Sequence, residues 1–169
     1  LPVFWHNFDP LVPGFFQIAA PYCYRCEFGQ SYPGCKLECA QALEESIKAE
    51  GADSVAAFIA EPVMGAGGVI PAPPEYFPLI REICDRHNVL LIADEVITGF
   101  GRTGAWFAMP HWGVQPDIMS FAKGVTSAYA PLGGIMISKE IQDAINASGQ
   151  PFMHGYTYSG HPTCCAVGL

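Results

Sequence analysis

The sequence predicts an α/β fold: a mostly parallel sheet flanked by helices. Three observations predict it. Several short runs are apolar throughout rather than alternating, as in "VAAFIAE" and "VLLIAD", which is how parallel strands covered on both faces read. A helical pattern separates those two runs, giving the order strand, helix, strand. Half of the 169 residues are hydrophobic and only 14% are charged, enough to build a core and too little charge for a disordered chain.

Taken in order, residues 1–34 are rich in Pro, Gly and aromatics without a period, and are expected to be extended and loop-like. Residues 35–50 place Leu37, Ala40, Leu43 and Ile47 on one helical face, and Gly51 stops the helix. The first strand is expected over 55–61, followed by a Gly/Pro loop over 62–74. A second helix follows in "EYFPLIREICDRHN", with Phe77, Ile80, Cys84 and His87 on one face and Asn88 as its stop. Strands are then expected over 89–94, 117–123 and 133–139, the last followed by a helix through Ile141 and Ile145. The chain ends in an apolar helical pattern, "CCAVGL", which His161 and Pro162 start. Residues 1–54 are thus a lead-in with one helix, and 55–169 the sheet-forming part. The chain begins without Met and stops inside a helix, so we expect an internal piece of a longer protein.

Charge and composition exclude several functions. The net charge is −8 and no Lys/Arg cluster occurs, which argues against nucleic acid or an anionic membrane as partner. No apolar run has the length of a membrane span, and "LPVFWHNFDP" has neither the basic start nor the apolar stretch of a signal peptide. The chain has seven cysteines. Cys84, Cys164 and Cys165 sit in apolar helical patterns and read as reduced core thiols, which points to the cytoplasm. Cys23, Cys26, Cys35 and Cys39 form CxxC, eight residues, then CxxxC. Such pairs can hold a structural zinc, but their separation is shorter than in zinc ribbons, and free thiols are the preferred reading. His87 and His111 read as structural, His111 within an aromatic cluster with Trp106, Phe107 and Trp112.

The chemistry gathers at strand ends. Three expected strands finish on Glu61, Asp94 and Lys123. In a parallel sheet those ends share one edge, and ligands bind in the crevice outside it. An ionised carboxylate ending a buried strand, as in "LLIADE", needs something positive to meet it. Spacing alone leaves two readings: an Asp94–Lys123 ion pair, or two groups that meet a common ligand. The setting of Lys123 favours the second. It is the only lysine between Lys48 and Lys139, and the small-residue loop "GVTSAYAPLGG" follows it. A cleft lysine forms Schiff bases with aldehydes. Pyridoxal phosphate needs such a lysine for its aldehyde and an acid for its ring nitrogen. A cofactor-free Schiff-base lyase would use the lysine but give Asp94 no ring nitrogen to meet. A non-enzymatic, zinc-stapled domain built on the four cysteines is the third alternative.

The chain resembles the class-III pyridoxal-phosphate aminotransferases of fold type I. The likeness runs through "VAAFIAEPVMGAGGVIP", "LLIADEVITGFGRTGAWFA", "QPDIMSFAKG" and "HGYTYSGHP", and more loosely through residues 1–54. The resemblance implies that Lys123 holds the cofactor as a Schiff base and then moves the proton on the substrate carbon. It implies that Asp94 keeps the ring nitrogen protonated, that Val96 packs on one ring face, and that Glu61 of the "EP" motif lies beside the ring. Thr157 of "YTYSG" would reach the phosphate of a neighbouring subunit, making the site shared across a homodimer. "GFGRTG" is then a tight turn that lets Arg102 and Trp106 shape that interface. Two positions depart from a common family pattern: Ile97 stands where many members have Gln, and Ala66 where many have Glu. Both departures point to an amine donor with pyruvate as the 2-oxo acid acceptor. Within the family the same lysine and aspartate also serve aminomutases, racemases and a decarboxylase.

Overall fold

The structure, a computed structural model, describes residues 6–169. Four strands form the main sheet: β1 (Ala57–Ala60), β4 (Leu90–Asp94), β5 (Ile118–Phe121) and β6 (Gly134–Ile137), in the order β1-β4-β5-β6. The first three run parallel, with Ala60 beside Ala93 and Asp94 beside Ser120. β6 returns antiparallel to β5. The predicted Gly/Pro loop over 62–74 contains a small hairpin that the sequence does not predict, β2 (Val63–Met64) with β3 (Ile70–Pro71). Two residues per strand carry no period, so nothing in the pattern could mark them.

Helix α1 (Glu38–Glu50) starts three residues later than predicted, because Lys36 and Leu37 take left-handed backbone. Ala40, Leu43 and Ile47 face inward as expected, and Gly51 ends the helix at φ 88°. Helix α2 (Tyr76–His87) buries Tyr76, Phe77, Ile80, Ile83 and Cys84, and stops at left-handed Asn88. These two helices cover one sheet face, packing on Leu91 and Ala93 with Met109. Arg81 on α2 pairs with Asp117 at 2.8 Å, and Asp117 also accepts from the Leu91 amide at 2.7 Å. That ties α2 to the entry ends of β4 and β5, leaving the exit ends free for chemistry.

The other face differs from expectation. Burial along β4 alternates, and Ile59, Leu90 and Ile135 are exposed. Helix α3 (Lys139–Ala147) lies on that side, where Leu90, Ile141, Ala144 and Ile145 line an open apolar cleft. The crossover from β4 to β5 also lacks a full helix: it is a loop with one 3-10 turn, Met109–Trp112. The terminal helix α4 (Pro162–Gly168) follows His161, with Pro162 in its first turn. Cys164 and Cys165 are half-buried rather than core, since α4 has no buried residue, whereas Cys84 is fully buried.

Candidate active site

Parallel register aligns the exits of β1, β4 and β5. Glu61 directly follows β1, Asp94 ends β4, and Lys123 lies two residues past β5. Neighbouring strands are spaced roughly 4.8 Å apart, so the three backbones leave one edge within roughly 10 Å of each other. This edge is where a parallel sheet binds ligands.

Asp94 is held by neutral donors. Its Oδ1 accepts from the Val96 amide at 3.0 Å and from the Ser120 hydroxyl at 3.2 Å. Among the described residues, no Lys, Arg or His nitrogen lies within 4.0 Å of it. An Asp94–Lys123 ion pair, one of the two readings left open by spacing, is therefore not formed. The half-buried carboxylate is oriented but not neutralised. Val96, also half-buried, follows directly in the turn that Asp94 anchors.

Glu95 solves its burial differently. It is completely buried, and its oxygens accept from the Thr98 hydroxyl (2.5 Å), the Ala108 amide (2.9 Å) and the Met109 amide (2.8 Å). Those two amides open the 3-10 turn at Met109–Trp112, a place where unpaired N–H groups gather. The neighbouring carboxylates thus divide: Asp94 faces the strand edge, and Glu95 clamps the crossover loop.

Lys123 is not the last residue of a strand. β5 stops at Phe121, Ala122 is extended, and Lys123 enters a 3-10 turn (Lys123–Thr126) with φ 46°. Left-handed backbone at a lysine costs roughly 1–3 kcal/mol and persists only where the surroundings enforce it. Here they do. The Val125 amide donates to Ala122 O at 3.2 Å, and the Thr126 hydroxyl donates to Ala130 O at 2.6 Å. A Cβ at Gly124 would stand 2.9 Å from Phe100 Cβ, so the turn is pressed against "GFG". The Lys123 side chain is exposed and has no carboxylate within 4.0 Å among the described residues. Ser120 and Gly124 were not singled out from the sequence. Only strand register brings Ser120 beside Asp94, and only the fold brings Phe100 against Gly124.

Glu61 is half-buried, and its Oε2 accepts from the Gly65 amide at 2.8 Å. Ala66, next in the loop, is exposed, and Ile97 is 38% exposed above Gly65. Thr157 stands apart from these groups in sequence, in an exposed turn over 157–160. That turn is closed by Ser159, whose hydroxyl accepts from the Tyr156 amide at 2.9 Å, and not by Thr157. "GFGRTG" folds as a tight turn: the Phe100 amide donates to Trp106 O at 2.6 Å and the Gly101 amide to Ala105 O at 3.2 Å. Arg102 is exposed and Trp106 is 76% exposed.

The remaining candidates lie elsewhere. Cys23, Cys26, Cys35 and Cys39 line one small cavity of about 20 Å³, and all are free thiols. Among the described residues no group of three or more His, Cys, Asp or Glu side chains is set to hold a metal. His87 Nε2 lies 3.1 Å from Glu44 Oε1 at the helix end, a structural role as expected. His111 meets Trp112 and the Thr103 hydroxyl (3.0 Å), while Trp106 and Phe107 pack on Phe100. The predicted aromatic cluster is therefore split in two. No helix among the described residues is long and apolar enough to cross a membrane.

The chain is similar to known proteins in sequence and in fold. Residues 3–169 match the family described as "Aminotransferase class-III". The chain is 49% identical over 158 residues to the putrescine–pyruvate aminotransferase of Pseudomonas aeruginosa, covering 94% of this chain and 34% of that protein. It is 43% identical over 175 residues to the diaminobutyrate–2-oxoglutarate transaminase of Halomonas elongata, covering 100% and 37%. An amine transaminase from an uncultivated Pseudomonas species, solved in its PLP-bound form, superposes with a TM-score of 0.94 at 48% identity, covering 100% of this chain and 39% of that one. The chain thus spans little more than a third of the length of these relatives.

Proposed function

Because the chain belongs to the class-III aminotransferase family, we propose that the protein it comes from moves an amino group from an amine or amino acid to a 2-oxo acid, with pyridoxal phosphate as cofactor and pyruvate as acceptor. One observation carries the reading: Asp94 and Lys123 leave adjacent parallel strands at one edge, both lacking an ionic partner among the described residues.

The residues present fit that cofactor. Asp94 offers a carboxylate whose Oδ1 is already oriented by Val96 and Ser120, as an acid facing a ring N–H requires. Lys123 offers an exposed amine on an enforced turn. Val96, two residues past Asp94 and half-buried, offers an apolar side chain for a ring face. When bound, pyridoxal phosphate supplies an aldehyde for amine exchange and an electron-withdrawing ring.

On this reading Asp94 keeps the proton on the ring nitrogen. The Lys123 amine would take a proton from the substrate carbon and deliver it to the carbon that carries the cofactor's aldehyde. Glu61, fixed by the Gly65 amide, bounds the site on the β1 side. Thr157 reaches a phosphate in a second copy of the chain. Support for a homodimer comes from the surface: Trp106, Tyr129, Met153, Tyr156 and Tyr158 are each at least 76% exposed, and aromatic and Met side chains are enriched at interfaces.

The acceptor assignment rests on Ala66 and Ile97. An exposed alanine in the loop gives no carboxylate with which to neutralise a substrate-binding arginine, so alternating dicarboxylate and amine substrates lack that device. One relative is named for pyruvate and another for 2-oxoglutarate, so the pyruvate reading rests on these local residues alone. Kinetics on the full-length protein with pyruvate and with 2-oxoglutarate test the acceptor. Preference for pyruvate is expected, and preference for 2-oxoglutarate rejects it. Borohydride treatment and Lys123→Ala test the cofactor: each should abolish the visible absorbance of the wild-type protein. A colourless wild-type protein that gains no band with added pyridoxal phosphate rejects the site.

A further inference from the structure

We propose that Glu95 is a positioning residue for the Lys123 amine, acting through the loop 98–109, an inference that rests on the cofactor site proposed above. The exposed Lys123 side chain has no carboxylate within 4.0 Å among the described residues, so its place is set by the turn that carries it. That turn bonds to itself, through the Val125 amide to Ala122 O and the Thr126 hydroxyl to Ala130 O. Outside support comes from two sides. Helix α4 packs against the turn at Val125 and Thr126. The Lys123–Gly124 end rests on Gly99 and Phe100: a Cβ at Gly124 would stand 2.9 Å from Phe100 Cβ and 3.3 Å from Gly99 O. One of those atoms belongs to the backbone and the other is bonded directly to it, so neither swings aside. The Phe100 ring also packs on Phe121, the last residue of β5, with centroids 5.7 Å apart. Phe100 thus meets the chain on both sides of Lys123.

Glu95 holds that support in place. Its N–H donates to Ser120 O at 3.0 Å, which fixes it to β5, and its C=O accepts from the Gly99 amide at 2.9 Å. Its carboxylate accepts from the Thr98 hydroxyl at the near end of the loop and from the Ala108 and Met109 amides at the far end. Between these ends the chain turns back on itself, with the Phe100 amide donating to Trp106 O at 2.6 Å. One residue therefore ties both ends of the loop to the strand that leads into Lys123. Glu95 is completely buried with no cation within 4.0 Å among the described residues, a placement that costs free energy an apolar contact would not. An apolar side chain could fill the space, but a carboxylate accepts all three donors on its two oxygens. What the acid contributes is a fixed loop, and with it a fixed floor under the lysine turn.

The test uses the full-length protein loaded with pyridoxal phosphate. The fastest of alanine, glutamate and putrescine is added as amine donor, and bleaching of the visible band is followed as a rate per loaded site. Partial unfolding or weak cofactor binding lowers the number of loaded sites and leaves the rate at each one unchanged. Glu95→Gln sets an NH2 group against the Ala108 or the Met109 amide, so the far end of the loop must open. Its rate per site should fall about tenfold or more, since a misplacement of about 1 Å costs about a hundredfold. Gly124→Ala displaces the same turn, so the double variant should lose much less than the product of the single losses. Glu44→Gln, which weakens the contact between α1 and α2, should keep the wild-type rate per site. If Glu95→Gln does not fold, Thr98→Ala removes one of the three bonds and should lower the rate per site by a smaller factor, about threefold. An unchanged rate per site in the variant that folds, losses that multiply fully with Gly124→Ala, or an equal loss in Glu44→Gln overturns the inference alone. A wild-type protein that takes up no cofactor, or bleaches with none of the three donors, overturns the site reading itself, and the inference with it.

Discussion

Ser120 and Asp94 are register partners on adjacent parallel strands, and the Ser120 hydroxyl donates to Asp94 Oδ1 at 3.2 Å. The Val96 amide donates to the same oxygen at 3.0 Å. These two donors orient one oxygen of the Asp94 carboxylate, and among the described residues no Lys, Arg or His nitrogen lies within 4.0 Å of it, which leaves it aimed as the proposed contact with a ring N–H requires.

Asp94→Asn in the full-length protein should keep the cofactor's visible band and lose turnover by orders of magnitude, because an amide cannot hold a ring proton. Ser120→Ala removes one of two orienting bonds while the Val96 amide remains. Its expected cost is about 1 kcal/mol, roughly a fivefold rise in the cofactor's dissociation constant. Steady-state kinetics and a cofactor titration separate the two outcomes. A Ser120→Ala loss as large as that of Asp94→Asn would contradict this division of roles.

Glu95 is fully buried and accepts three hydrogen bonds, two of them from the amides of Ala108 and Met109 across the loop. Glu95→Ala strands both amides, at about 1–3 kcal/mol each. Glu95→Gln turns one oxygen into a donor facing an amide, so it strands one. Thr98→Ala removes a single bond and leaves both amides satisfied, at about 1 kcal/mol. In thermal unfolding Glu95→Ala should lose most, Glu95→Gln less and Thr98→Ala least. A Thr98→Ala loss equal to that of Glu95→Ala would contradict the clamp.

Which parts were legible follows from where their signal lies. The strands, α1 and α2 announce themselves by local period, and Asp94 and Lys123 by interrupting apolar runs. Glu95 was visible as a second acid, but its partners lie across a loop that has no pattern of its own. Ser120 needed strand register, and Gly124 needed the approach of Phe100. The apolar runs also implied a sheet covered on both faces, yet Ile59, Leu90 and Ile135 are exposed. The runs encode the environment of the whole protein, of which this chain spans about a third of its relatives' length.

Glu44 joins α1 to α2 through His87 and Arg86, at 3.1 and 2.7 Å, and pairs with Lys48 on its own helix at 3.3 Å. The His87 hydrogen bond, with Arg86 and Lys48, lowers its carboxyl from 4.5 to about 2. A depressed carboxyl contributes stability that is complete above its unfolded pKa and is lost as pH falls through its folded one. The loss should therefore fall between about pH 4.5 and about pH 2. Melting temperature against pH should drop more steeply there in wild type than in Glu44→Gln, and parallel curves would contradict the linkage.

Burial pushes the Cys39 and Cys84 thiols up to about 11, so neither supplies much thiolate at neutral pH. Cys84 is also completely buried. Alkylation at about pH 7.5 followed by mass mapping should leave Cys84 unmodified until the protein is unfolded. Metal analysis of the same sample should return no stoichiometric zinc at Cys23, Cys26, Cys35 and Cys39. Zinc at one per chain would restore the stapled-domain reading of those cysteines.

The turn that presents Lys123 depends on the residue after it. Lys123 holds φ 46°, and Gly124 sits where a Cβ would come 2.9 Å from Phe100 Cβ and 3.3 Å from Gly99 O. The backbone oxygen cannot move without opening the 99–106 turn, so Gly124→Ala must push the lysine turn outward. Moving the amine by about 1 Å is enough to cost about a hundredfold in a reaction that needs aligned atoms. Gly124→Ala should therefore lower kcat about a hundredfold while the protein remains folded and still reacts with pyridoxal phosphate. Phe100→Gly removes the nearer obstacle, the Cβ itself, at a position whose φ of 56° suits glycine, and should recover part of that loss in the double variant, which separates displacement of the turn from general damage. Wild-type kcat in Gly124→Ala would mean that the turn has slack the packing denies.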